Sequence, residues 1–389
     1  MTLPPPLDWQ ADRIGPGLDI LPERRVTREN WRLYPFSRWA FQHTRELVPS
    51  RAIRVSDAPL ALVEESVDLG DLRFGDGSGR RIGWADFARE TYADALLVLH
   101  RGRIAHQSYY NGMTPHTPHH LFSVAKSIVG LVAEILIGDA VLDPQAPVTR
   151  YVPELAASGF AEARVRHLLD MTDGVAFDEN YANPDADVHT YSAAYWTPAS
   201  ANGGARAALA RLTRSIAKPG ERFAYRTPVA DALGWVIARA SGRRLADLVS
   251  DHLWQPAGCA DGGHFLVDVD GDEIAASGIN ATLHDLARLA LFLLEPASPL
   301  NTIRNAADRA LAANPDYTAR SVHSYRSQWW LGDDFATGMG VYGQRFHLEP
   351  EKEFAFIRLG SHPLASNQIT DVLHSNAIAA LRRSLGINA

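Results

Sequence analysis

Apolar residues along this chain fall into several patterns, each predicting a different element. Leu96-Leu97-Val98-Leu99 and residues 104–110, joined through Arg101-Gly102, read as the two strands of a hairpin. The run from Ile128 to Ile137, stopped at Gly138, is apolar on nearly every face, which predicts a helix buried inside the protein. Residues 165–171, 206–217 and 282–294 carry a helical period. Residues 228–240 do too, with Pro228 at the start and Gly242 past the end. Residues 178–196 read as a long polar and aromatic loop. After Trp329 the period becomes two: 338–342, 346–348 and 354–359 read as consecutive antiparallel strands, and 369–385 as a closing helix.

This order, with a hairpin and buried helix first, short helices next, and a meander and helix last, predicts an α/β (α+β) fold. Its antiparallel sheet is flanked by helices and built from both ends of the chain, with an all-helical lobe inserted between. The expected boundaries are an N-terminal extension, 1–90, packing on the core, and a domain over 91–389. Within the latter, 91–130 and 276–389 form the α/β lobe and 131–275 the helical lobe. The extension reads as irregular, but Trp9, Trp31, Trp39 and Phe41 would be costly to leave in water.

Composition narrows the function. A net charge of −7 and the lack of a basic stripe argue against nucleic acid. Apolar runs are too short to span a membrane, and no apolar leader is visible, so the chain reads as cytoplasmic. One cysteine, Cys259, allows no internal disulfide and no cysteine-based metal site. The basic residues carry the strongest signal: 35 of 38 are arginine, and the lysines are Lys126, Lys218 and Lys352. The last two fall at turn positions and read as solvated. Lys126 alone sits in an apolar helix.

Ser123 and Lys126 lie three residues apart at the start of that helix, so they share a face. Serine is a favoured N-cap, which would make Ser123 purely structural. A lysine in the first turn opposes the helix dipole, however, and burial there depresses its pKa. The pair therefore points to an activated nucleophile. Tyr225, on a tight loop before the Pro228 helix, is a candidate base, and the glycine-flanked stretch 338–341 can bring a backbone N–H close to a substrate carbonyl.

Other motifs fail on context. Residues 338–343 match G-x-G-x-x-G, but a strand pattern follows instead of a helix. Ser215–Lys218 is a second S-x-x-K placed at an expected helix end. Asp268-Val269-Asp270-Gly271-Asp272 has its glycine at the wrong offset for a calcium loop and reads as a hairpin turn. His119-His120 lacks partners at ligand spacing and reads as structural. No G-x-S-x-G elbow is present.

Together Ser123–Lys126, Tyr225-Arg226-Thr227 and residues 338–341 resemble, in order, the S-x-x-K, Y-x-[SN] and K-T-G motifs of the serine β-lactamase and penicillin-binding protein superfamily, in its class C and esterase-like branch. The third motif lacks its lysine here. A narrower similarity, to the 6-aminohexanoate-dimer hydrolases, runs through Arg38-Trp39-Ala40-Phe41, Tyr151-Val152-Pro153-Glu154-Leu155, Gln328-Trp329-Trp330 and Gly340-Val341-Tyr342-Gly343-Gln344.

The resemblance implies a β-lactamase/DD-peptidase-like fold and hydrolysis of a small linear amide or ester through an acyl-enzyme. Ser123 would attack, Tyr225 with Lys126 would move the proton, and the Ser123 and Val341 N–H groups would form the oxyanion hole. Tyr181, Thr227, Trp330 and Arg226 would contact substrate. The substrate-contacting carboxylate of those hydrolases aligns to Ser192. No metal or cofactor is implied, and a monomer and a homodimer stay open. So do a carboxylesterase, a D-amino-acid peptidase and, outside enzymes, a catalytically silent penicillin-recognition module. Asp178, Glu179, Asp185 and Asp187 give residues 177–196 a wholly acidic charge, which would favour a substrate with an amine tail.

Overall fold

The computed structural model describes residues 3–198, 201, 203–306 and 321–387. Its centre is a seven-stranded antiparallel sheet in the order Arg103–Tyr109, Ala93–His100, Phe354–Gly360, Gln344–Glu349, Ala336–Gly340, Trp329–Leu331, Ser324–Arg326. The two ends of the chain meet where Leu97 pairs with Ile357. This sheet is covered on both faces, which explains why residues 96–99 are apolar without alternation. Leu97 and Leu99 join the core that holds the helix Val124–Gly138, whereas Leu96 and Val98 pack with Phe87, Ile378 and Leu381 under the closing helix Asp371–Ser384.

The buried helix lies against the sheet at backbone distance. A Cβ on Gly130 would sit 2.0 Å from the Ser327 carbonyl oxygen, so only glycine fits there. Ser127 donates to the Gln328 carbonyl at 2.8 Å, and the Trp329 indole donates to the Ser127 carbonyl at 3.0 Å.

A second, four-stranded sheet escapes the sequence patterns. It orders Ser50–Ile53, Gly263–Leu266, Ile279–Ala281 and His119–His120, strands of two to four residues too short to show a period. It ties the N-terminal segment to the start of the buried helix. A buried cluster does the same: Asp94 accepts from Arg38 at 2.8 Å, from His119 at 3.0 Å and from Ser361 at 2.6 Å. Trp31, Trp39 and Phe41 are buried.

Two helical expectations change. Within 178–196 the chain forms a helix, Asp187–Ala194, which buries Val188, Tyr191, Ser192 and Ala194. The helix expected over 206–217 is Ala205–Ala210 only. Beyond it the backbone is engaged sideways: Gly159 donates to the Leu212 carbonyl, Ala176 to that of Arg214, and Ile216 to that of Gly174. Ser215 is exposed on this stretch. Lys352, expected in solvent, is only 16% exposed and ion-paired with Asp334 and Glu349. Among the described residues no helix is long and apolar enough to cross a membrane.

Candidate active site

Phe122 holds a left-handed conformation (φ 48°), turning the chain sharply into the helix. Ser123 follows at the N-cap position but makes no side-chain capping bond. Its Oγ instead accepts a hydrogen bond from Lys126 Nζ at 2.9 Å. The purely structural reading of Ser123 therefore fails on geometry.

Lys126 is 1% exposed, and its Nζ also donates to the Ala276 carbonyl at 2.9 Å. Desolvation lowers its pKa to about 8, against the opposing pull of Glu179 and Asp231. The Ala276 peptide is itself held: its N–H donates to Asp231 at 2.9 Å, and that carboxylate also accepts from Tyr191 at 2.9 Å and Tyr195 at 2.6 Å. Asp231 thus positions the acceptor that aims the lysine.

Tyr225 comes to the same place from the loop before Thr227–Ser241. Its ring stacks on Trp330 with centroids 5.3 Å apart, and Lys126 Nζ lies 5.2 Å from the ring centroid. Thr227 anchors the helix start through Glu179, which accepts from its N–H at 2.8 Å and from its hydroxyl. Tyr181 donates to the same carboxylate at 3.2 Å. Burial raises the pKa of Glu179, with Lys126 pulling it back, and burial beside Glu179 holds the Tyr181 phenol well above its usual range. Glu179 was legible only as one of four loop acids, yet it joins Thr227, Tyr181 and the field at Lys126.

Arg226 does not reach the site. It is extended (φ −148°, ψ 130°), so its side chain leaves on the face opposite Tyr225. There it is 1% exposed and bonded to the buried Asp173 at 2.7 Å. Its expected contact with substrate is corrected to a structural ion pair.

Two clefts meet at Ser123. One, of about 390 Å³, is lined by Ser123, Ser192, Tyr195, Trp31 and Arg32 among others. The other, of about 250 Å³, is walled by Glu179, Tyr225, Trp330 and Asn367. Ser123, Tyr181 and Val341 line both, and Thr227 lines the first. Val341 opens the tight turn Val341–Gly343 at the end of the strand Ala336–Gly340. Of the four loop acids only Glu179 lines either cleft, and it is already engaged by Thr227 and Tyr181. The acidic loop therefore gives no support to an amine-tail preference.

A buried serine bonded to a desolvated lysine at a helix start, beside a tyrosine and a glycine-rich strand end, is the arrangement of a serine hydrolase of the penicillin-recognising fold. The Beta-lactamase family model matches residues 83–365, and the chain belongs to that family. It is 29% identical over 377 residues to the 6-aminohexanoate-dimer hydrolase of Paenarthrobacter ureafaciens, covering 92% of this chain and 94% of that one. A solved Bacillus anthracis structure, provisionally named a 6-aminohexanoate-dimer hydrolase, superposes with a TM-score of 0.82 at 24% identity, over 94% of this chain and 98% of that one. The D-amino acid amidase of Ochrobactrum anthropi gives 0.57 at 15% identity, over 76% and 97%. The β-lactamase-like fold and hydrolase class expected from the sequence are those found.

Proposed function

We propose that the protein hydrolyses a small linear amide or ester through an acyl-enzyme on Ser123. The observation that carries this reading is the 2.9 Å contact between Ser123 Oγ and Lys126 Nζ at the meeting point of two clefts. With Lys126 neutral, the hydroxyl proton passes toward the Lys126–Tyr225 pair as Oγ attacks the carbonyl carbon. The oxyanion is held by the Ser123 and Val341 N–H groups. Collapse breaks the C–N or C–O bond, and the leaving amine or alcohol takes the proton. Water then attacks the ester on Ser123 and the acid departs.

Tyr225 lines only the smaller cleft, which supports placing the leaving group there and the acyl chain in the larger one. Trp330, stacked on Tyr225, would wall the leaving-group side, and Tyr181 would touch both halves. The relative that acts on the 6-aminohexanoate dimer favours linear amides, while a carboxylesterase or D-amino-acid peptidase is the second reading. Rates on p-nitrophenyl esters, short ω-amino-acid amides and D-peptides, each with the wild type and Ser123→Ala, test this. The expected result is Ser123-dependent cleavage of linear esters and amides. A Ser123→Ala enzyme that keeps its activity would overturn the proposal.

A further inference from the structure

We propose that Arg32 forms an anion subsite on the wall of the acyl cleft, so that the preferred substrate is one whose acyl chain ends in a carboxylate. This rests on the serine-hydrolase reading above and on the assignment of the larger cleft to the acyl chain.

Arg32 lies on the N-terminal segment, outside the residues matched by the family model, and lines the larger cleft half-buried. Its guanidinium carbon sits 5.6 Å from the centroid of the Trp31 ring, which orients the planar fork without neutralising it. Trp31 in turn lies 5.8 Å from His120, and His120 lies 4.1 Å from Phe122, the residue before the nucleophile. Arg32 is thus connected to Ser123 along one aromatic wall.

The charges facing this cleft are few. Among the described residues Arg32 has no carboxylate at ion-pair distance. Glu29 is the one acid on the lining; it is fully exposed, and its carboxylate is hydrogen-bonded to Thr27 and its own backbone with Arg28 as charged neighbour. His120 is kept neutral, chiefly by burial and then by the charges of His119, His264 and Arg32. His189 completes the set. Ser192 contributes only a hydroxyl. An ammonium tail would meet only the carboxylate of Glu29, which is fully exposed to solvent, whereas a carboxylate would meet a guanidinium whose paired N–H groups match its two oxygens.

The test compares kcat/KM for three p-nitrophenyl esters of equal acyl length: hexanoate, 6-aminohexanoate and the adipate monoester. Each is measured with the wild type, Arg32→Gln, Arg32→Lys and Arg32→Glu, at low and high salt, with thermal melts to confirm folding. A charge-assisted hydrogen bond at a half-exposed site predicts a carboxylate-to-ammonium ratio of about tenfold at low salt, shrinking as salt rises. Arg32→Gln should bring the ratio to about one, Arg32→Lys should keep part of it, and Arg32→Glu should invert it. A wild-type ratio of one, a preference for the ammonium ester, or a ratio unchanged by Arg32→Gln would overturn the subsite. Ser123-dependent hydrolysis of the uncharged hexanoate shows that such a failure belongs to the subsite alone. Absence of Ser123-dependent hydrolysis of all three esters overturns the hydrolase reading and the subsite with it.

Discussion

Replacing Lys126 by methionine should trade activity for a stability change with a distinctive pH dependence. The lysine pKa falls from 10.5 to about 8 in the folded protein because its ammonium is desolvated. A drop of that size corresponds to roughly 3 kcal/mol of destabilisation while the group is charged, at about 1.36 kcal/mol per unit. The residue is 1% exposed, so solvent screening takes little off this figure.

Below pH 8 the amine is protonated in both folded and unfolded chains and the whole penalty applies. Between about pH 8 and 10.5 the unfolded chain binds the extra proton, so wild-type stability rises with pH across that window. Methionine has no such term. It also loses the bonds to Ser123 and to the Ala276 carbonyl, costs of about 1–3 kcal/mol that are the same at every pH. The stability of the variant minus that of the wild type should therefore fall by about 2.5 kcal/mol between roughly pH 7 and pH 10, whatever its absolute value. Urea unfolding of both proteins across this range measures it, with unchanged m-values as the check for two-state behaviour. A difference that stays constant to within about 0.5 kcal/mol over that range would refute a desolvated, depressed Lys126.

The same depressed pKa sets the pH profile: kcat/KM on an uncharged ester should climb with pH and level above about pH 8, and Lys126→Arg should lose the activity at every pH. A profile flat through that pH would contradict a neutral Lys126 in the mechanism. Arg226→Ala should destabilise the fold by about 3–5 kcal/mol, because it leaves the Asp173 carboxylate buried without its partner; a change under about 1 kcal/mol in urea unfolding contradicts the buried pair. The strand facing Ser127 carries Gly338-Met339-Gly340 and no lysine to receive a β-lactam carboxylate, so nitrocefin turnover should be negligible. Efficient hydrolysis at low nitrocefin concentration would contradict this.

The buried helix was legible because its apolar run is long and its one lysine stands out in an arginine-rich chain. Five of the seven central strands were legible because they alternate or form short apolar runs between turns, whereas Ser324–Arg326 and Trp329–Leu331 are too short to show a period. What the sequence hid was direction. Tyr225 and Arg226 are neighbours, and only the extended backbone at Arg226 sends one toward Lys126 and the other to Asp173. Glu179 looked like its solvated neighbours because the partner that holds it in the site, Thr227, lies 48 residues further along the chain. The helix Asp187–Ala194 does carry a signal in the sequence: Val188, Tyr191 and Tyr195 recur at helical spacing and are buried. The early end of the helix at Ala210 had none, since tertiary hydrogen bonds to Leu212 and Arg214 override local preference. The placement of Trp31 and Arg32 in the larger cleft likewise depends on a sheet of very short strands.

The central claim is that Ser123 is the nucleophile, raised by Lys126 and carrying the acyl group. The most direct test treats the enzyme with a fluorophosphonate and maps the modified peptide by mass spectrometry, in the wild type, Ser123→Ala and Ser215→Ala. One adduct is expected, on Ser123, present in the wild type and Ser215→Ala and absent in Ser123→Ala, with turnover lost by several orders of magnitude only in the last. An adduct on any other residue, or undiminished labelling of Ser123→Ala, would contradict it.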